Sequence, residues 1–124
     1  MLRGIRGAIS VEHNTREDIL VRTEELLREM LQRNDLDLTR IASVFFTLTA
    51  DLNAEFPAVA ARLMGWTTIP LMCVKEIDVP GALPRCIRVL IHYNAEDNQA
   101  LTPVYLGQAL QLRKDLLPDV GVLG

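Results

Sequence analysis

The run Cys86–Tyr93 (CIRVLIHY) constrains the fold more than any other stretch of the chain. It is short, apolar and β-branched, the signature of a strand with a buried face. The preceding segment Val79–Arg85 contains Pro80, Gly81 and Pro84 and must turn. One residue breaks the apolar pattern: Arg88 stands in mid-strand. A charge there is costly unless it is paired or faces a solvated pocket. An arginine in an ion pair at a subunit interface, or at an exposed sheet edge, satisfies that condition as well as one in a functional site.

The other segments supply partners for this strand. Residues 2–11 (LRGIRGAISV) alternate, with Arg3, Ile5, Gly7 and Ile9 on one face. Arg6 shares the other face with Leu2, Gly4, Ala8 and Ser10, so space is left beside its guanidinium. A helix follows, with Asn14 and Glu17, or in the rival register Thr15 and Asp18, as its start. Ile19, Leu20, Leu26, Leu27, Met30 and Leu31 form one amphipathic stripe, which reads as packing. Asn34 and the run Asp35–Thr39 make a loop. Residues 41–49 (IASVFFTLT) form a second strand, and Pro57 opens a short helix that Gly65 ends. Residues 67–74 (TTIPLMCV) form a third strand, with Pro70 placing part of it at an edge. Val104–Leu106 suits a short strand and Gln108–Leu112 a helical turn; the tail beyond about residue 114 is expected to fray. The order strand, helix, strand, helix, strand, strand predicts an α+β fold, one long and one short helix covering a mixed sheet.

With 124 residues, a single domain spanning 1–124 is expected. A small monomer has little interior, so a hydrophobic share of 49% points to apolar surface buried between subunits. The net charge of −3 and the absence of any basic tract argue against nucleic acid as a partner. No apolar run approaches the length of a membrane span, and the start MLRGIR is not a secretory signal, so a cytoplasmic location is expected. Cys73 and Cys86 lie apart from any CxxC or histidine cluster, so no metal is expected and both thiols should stay reduced there.

The search for catalytic groups is mostly negative. His13 and His92 are isolated, Ser10 and Ser43 have no nucleophile elbow, and no phosphate loop or dinucleotide fingerprint occurs. What remains is Arg6 and Arg88, with Glu76, Cys73 and Tyr105. That set suits recognition of a dianionic small molecule better than hydrolysis or metal chemistry. Cys73 and Glu76 have opposite parity, so they converge only if their strand ends or bends between them.

Four segments together resemble a known family: RGIRGAISVE at 3–12, TADLNAEFPAVAAR at 49–62, PLMCVKEIDVPGALPRCIRV at 70–89 and VYLGQALQLRKDL at 104–116. With the long helix, they cover nearly the whole chain in the order found in the trimeric, non-helical-bundle chorismate mutases of bacteria. The resemblance implies a barrel-like homotrimer with active sites between subunits, rearranging chorismate to prephenate without a cofactor. It implies that Arg88 reaches the ether oxygen and pyruvyl carboxylate, which Arg6 and Tyr105 also hold. Glu76 and Cys73 would meet the ring hydroxyl, Phe56 and Leu112 would form apolar walls, and Arg62 and Arg113 would line the mouth. Val59 and Met72 depart from relatives that have lysine and threonine there. A trimeric, non-catalytic module for a small carboxylate is the rival reading; it would need Arg6, Arg62 and Arg113, but not Arg88 and Glu76 together.

Overall fold

The long helix is positioned by a contact at its first turn. Thr15 is extended (φ −129°, ψ 155°) and its hydroxyl accepts the Asp18 amide at 3.1 Å. The cap is therefore Thr15 with Asp18, and α1 runs Arg16–Asn34. Asn14 does other work: its side-chain oxygen accepts the amides of Asn53 and Ala54, at 3.0 and 3.1 Å, tying the helix entry to a distant loop. The computed structural model describes residues 1–116, with side-chain environments through Leu112. The expected fraying of the tail concerns residues that lie largely outside those described.

Five strands form one mixed sheet: β1 (Leu2–Ser10), β2 (Ile41–Leu48), β3 (Leu71–Lys75), β4 (Cys86–Asn94) and β5 (Val104–Leu106). Their order across the sheet is β3-β2-β4-β1-β5. The predicted Cys86–Tyr93 strand is thus the middle of the sheet, antiparallel to β1 on one side and β2 on the other. The two outer pairings are parallel, β1 with β5 and β2 with β3. The third strand starts at Leu71, later than residue 67. Pro70 has no N–H to give a ladder, but its carbonyl accepts the Val44 amide at 3.0 Å, and pairing begins there. β3 is an edge strand, as Pro70 suggested.

One face of the sheet holds the core. Ile5 and Ile9 of β1, Val44 and Phe46 of β2, and Ile87, Val89, Ile91 and Tyr93 of β4 are buried together. The helices α1 and α2 (Ala58–Leu63) cover them through Ile19, Leu26, Leu27 and Met30, and through Ala58 and Ala61. The closest approach is at Gly7, where an added Cβ would lie 2.5 Å from Met30 Sδ. A larger residue there would force the Met30 and Leu26 side chains of α1 to shift.

Two readings of the connections change. Asn34 is the last helical residue rather than the start of a loop, and it is buried. Its amide nitrogen donates to the carbonyls of Met30 and Thr102, and its oxygen accepts the Thr102 amide, so it fixes the approach to β5. The loop after it contains a 3-10 turn, Leu38–Arg40, capped by Asp37. At the other end, the helical turn expected at 108–112 is part of a 3-10 helix, Gly107–Leu116. No helix among the described residues is long and apolar enough to cross a membrane.

Candidate functional site

The strand alternation that buries Ile87, Val89 and Ile91 sends Arg88 to the opposite face of the sheet. Register then decides its neighbours. Val74 pairs with Thr47, Thr47 with Arg88, Arg88 with Ala8, and Ala8 with Tyr105, forming one row across all five strands. In the adjoining row Arg6 stands opposite Leu90, which stands opposite Phe45. Ala8 is small, so the middle of this face is hollow. A cavity of about 330 Å³ lies there, lined by Arg6, Arg88, Glu76 and Tyr105 with Phe45 and Leu90 among its apolar walls.

Glu76 reaches this cavity because the β2–β3 ladder runs one residue past β3: its amide donates to the Leu48 carbonyl at 2.8 Å. Its carboxylate Oε1 lies 3.7 Å from Arg88 Nε, an ion pair longer than a hydrogen bond. The Arg88 side chain is 46% exposed, so its guanidinium retains open donor positions toward the cavity. Beneath this pair, the Thr47 hydroxyl is buried and has no partner among the described residues. A cavity with two guanidiniums, one carboxylate, a phenol and apolar walls can bind a small anion and hold it in one conformation. Among the described residues, no group of three or more His, Cys, Asp or Glu side chains is arranged to hold a metal.

The remaining sequence-derived candidates fall elsewhere. β3 ends at Lys75, but its bonding to β2 continues without a bend to Glu76, so Cys73 and Glu76 keep opposite parity and face opposite sides of the sheet. Cys73 pairs with buried Phe46 and packs against the main core. Burial pushes its thiol pKa up, while the Ala58 backbone and the Arg62 charge pull it down, so Arg62 and Cys73 are neighbours. Cys73 and Phe56 line a second opening of about 520 Å³ beside the edge of β3. Phe56 is 65% exposed, a large apolar ring left in the open. Leu112 returns to the first group: with Tyr105 it packs against the small buried cluster of Ala8, Cys86 and Ala109. The Arg113 side chain lies outside the described residues. Thr47 was not singled out from sequence; its position opposite Arg88 depends on the β2–β4 register, which no local pattern specifies.

The chain is similar to known proteins over nearly its whole length. The family model described as "Chorismate mutase type I" matches residues 2–116. Chorismate mutase AroH of Thermus thermophilus is 48% identical over 118 residues, covering 94% of this chain and 97% of the relative. Chorismate mutase AroH of Bacillus subtilis (strain 168) is 41% identical over 118 residues, covering 94% and 93%. A solved chorismate mutase from Clostridium thermocellum superposes with a TM-score of 0.85 at 49% identity, covering 88% of this chain and 98% of its own.

Proposed function

Because the chain belongs to the chorismate mutase type I family, we propose that the cavity lined by Arg6, Glu76, Arg88 and Tyr105 is where it rearranges chorismate to prephenate. The observation that supports this reading most is the convergence of two arginines on one partly apolar hollow of the sheet. The reaction is intramolecular and pericyclic: the ether carbon–oxygen bond breaks as a new carbon–carbon bond forms. It needs no nucleophile and no proton transfer. A protein accelerates it by selecting the compact conformer and by stabilising the charge that grows on the ether oxygen.

Arg88 is the group suited to the second task. It is fixed by a central strand, and its planar fork can serve the ether oxygen and the neighbouring carboxylate together. Charge on that oxygen appears only as the bond breaks, so this contact favours the transition state over the ground state. Arg6 and Tyr105 hold the carboxylate, which is present in both states. Glu76 accepts from the ring hydroxyl.

Cys73 of β3, Phe56 just before α2 and Arg62 within α2 lie outside this cavity, and their proposed roles need a second chain. A head-to-tail trimer brings the β3 edge of one subunit against the open sheet face of the next. The apolar residues exposed along that edge, Met72 at 56% and Val74 at 44%, favour such burial. On this reading each site joins Arg6, Glu76, Arg88, Tyr105 and Leu112 of one subunit to Phe56, Arg62 and Cys73 of its neighbour.

Mixing inactive Arg62→Ala and Arg88→Ala subunits tests the arrangement. Mixed trimers should recover part of the wild-type loss of chorismate absorbance, because some interfaces unite two intact halves. No recovery from verified mixed trimers, or an active monomer in light scattering, would overturn the shared site. The rival non-catalytic module is excluded by turnover itself: it binds chorismate and leaves its diene absorbance unchanged.

A further inference from the structure

We infer that Ser10 is a positioning residue: its hydroxyl pins the start of the C-terminal 3-10 helix to the end of β1 and so sets Tyr105 in the cavity wall and Leu112 on the buried cluster it shares with Tyr105. Ser10 is the last residue of β1. Its partner strand β5 is only three residues long, pairing Val104–Leu106 with Gly7–Ile9. Beyond Leu106 this ladder stops, and the chain turns through Gly107 at φ +61°. The next amide, Gln108 N–H, lies in the first turn of the 3-10 helix and has no ladder partner to return to. Ser10 Oγ accepts it at 2.9 Å.

The serine is itself held in place. Arg22 of α1 donates from Nε to the Ser10 carbonyl at 3.0 Å, and its Nη1 is anchored on Glu25 at 2.9 Å. Gly107 fits between them: a Cβ there would stand 2.6 Å from Ser10 Oγ and 2.8 Å from Arg22 Nη2. Helix α1, strand β1 and the C-terminal helix thus meet at one residue, α1 through the Ser10 carbonyl and the C-terminal helix through its hydroxyl. The 3-10 helix has a second attachment, where Ala109 is buried with Ala8 and Cys86 and Leu112 packs on the same cluster. Tyr105 lies two residues before Gly107, and Leu112 five after it, so both move if the junction loosens. Ser10 touches neither the cavity nor, on this reading, the substrate. It acts through Tyr105 and Leu112, and the inference rests on the substrate-binding roles proposed for them.

A carboxylate contact and an apolar wall serve the ground state as well as the transition state, so loosening them falls on KM. Ser10→Ala should raise KM for chorismate about tenfold, equivalent to about 1.4 kcal/mol of binding, with kcat changed less than threefold. Deuterium uptake over residues 104–112 should rise in the same variant. Ser10→Thr retains the hydroxyl and should restore both. Should Ser10→Ala fail to fold, Gly107→Ala breaks the same junction from its exposed side and should give the same KM rise. An unchanged KM in either folded variant overturns the inference, even where uptake rises. So does a KM rise that Ser10→Thr leaves in place. Tyr105→Phe separates this from the site reading: wild-type kinetics there bring down the role of Tyr105, whereas a raised KM there beside an unchanged one in Ser10→Ala brings down only the role of Ser10.

Discussion

The two faces of β4 differ more than any two separate regions of the molecule. Ile87, Val89 and Ile91 point one way and are closed in by α1 and α2. Arg88 and Leu90 point the other way, across a hollow that no described residue of the same chain closes. Adjacent residues of one strand therefore serve different ends. On the covered face, side-chain volume and shape determine whether the chain folds. On the open face, charge and hydrogen-bonding geometry determine what it binds. A substitution one position along should change the kind of defect as well as its size.

The largest effect is expected on the covered face. Phe46 is fully buried beside Val44 and Val89, and Phe46→Ala leaves a cavity with few ways to collapse. It should cost about 3–5 kcal/mol of stability, read as a lower denaturant midpoint, while the folded fraction keeps a near-normal kcat. Equal loss of kcat per folded molecule would blur the distinction between the faces.

Next comes the open face. Arg88→Ala should lower kcat by roughly two to three decades, about 3–4 kcal/mol for a well-placed donor in a desolvated site. Replacing Arg88 by citrulline keeps the shape and most donors but removes the charge, and should lower kcat while weakening binding only modestly. Arg6→Ala should instead place more of its loss in KM, because the carboxylate it holds is present throughout the reaction. If Arg88→Ala only lowers thermal stability and leaves kcat intact, Arg88 is a structural partner of Glu76 and the site assignment is wrong.

The smallest effect separates chemistry from stability by pH. No step moves a proton, so kcat should stay nearly flat between about pH 6 and 9. Stability should not stay flat above that range. Burial raises the thiol pKa of Cys73 and of Cys86 above the usual value, against the pull of Arg62 and Arg88 respectively. The unfolded thiols ionise first, so the folded state binds more protons and stability falls as pH rises through the thiol range. Below the ordinary thiol pKa this penalty is absent. Thermal melts of wild type against Cys73→Ala and Cys86→Ala should diverge only on the alkaline side; parallel curves would remove the thiols from the account.

Much of this was legible from residue order. Strand alternation requires that Arg6 leave the face of Ile5 and Ile9, and that Arg88 leave the face of Ile87 and Val89. The opposite parity of Cys73 and Glu76 also stood in the sequence, and the regular β3 keeps them apart. The cap was less legible, because Asn14 and Thr15 are both good caps and only the link from Asn14 to the loop at Asn53 decides between them. Asn34 shows the same limit: polar and followed by a loop, it looks exposed, yet Thr102, distant in sequence, supplies the partners that allow its burial.

The sequence by itself determined the strands and helices, the face each side chain takes, and the family, because periodicity and local motifs are properties of neighbouring residues. Tertiary structure alone decided that Arg6, Glu76, Arg88 and Tyr105 surround one hollow, while Cys73, Phe56 and Arg62 lie beyond its edge. That outcome depends on strand order and register. Those are set by how whole faces bury against α1 and α2, a competition among distant segments that no local stretch of residues encodes.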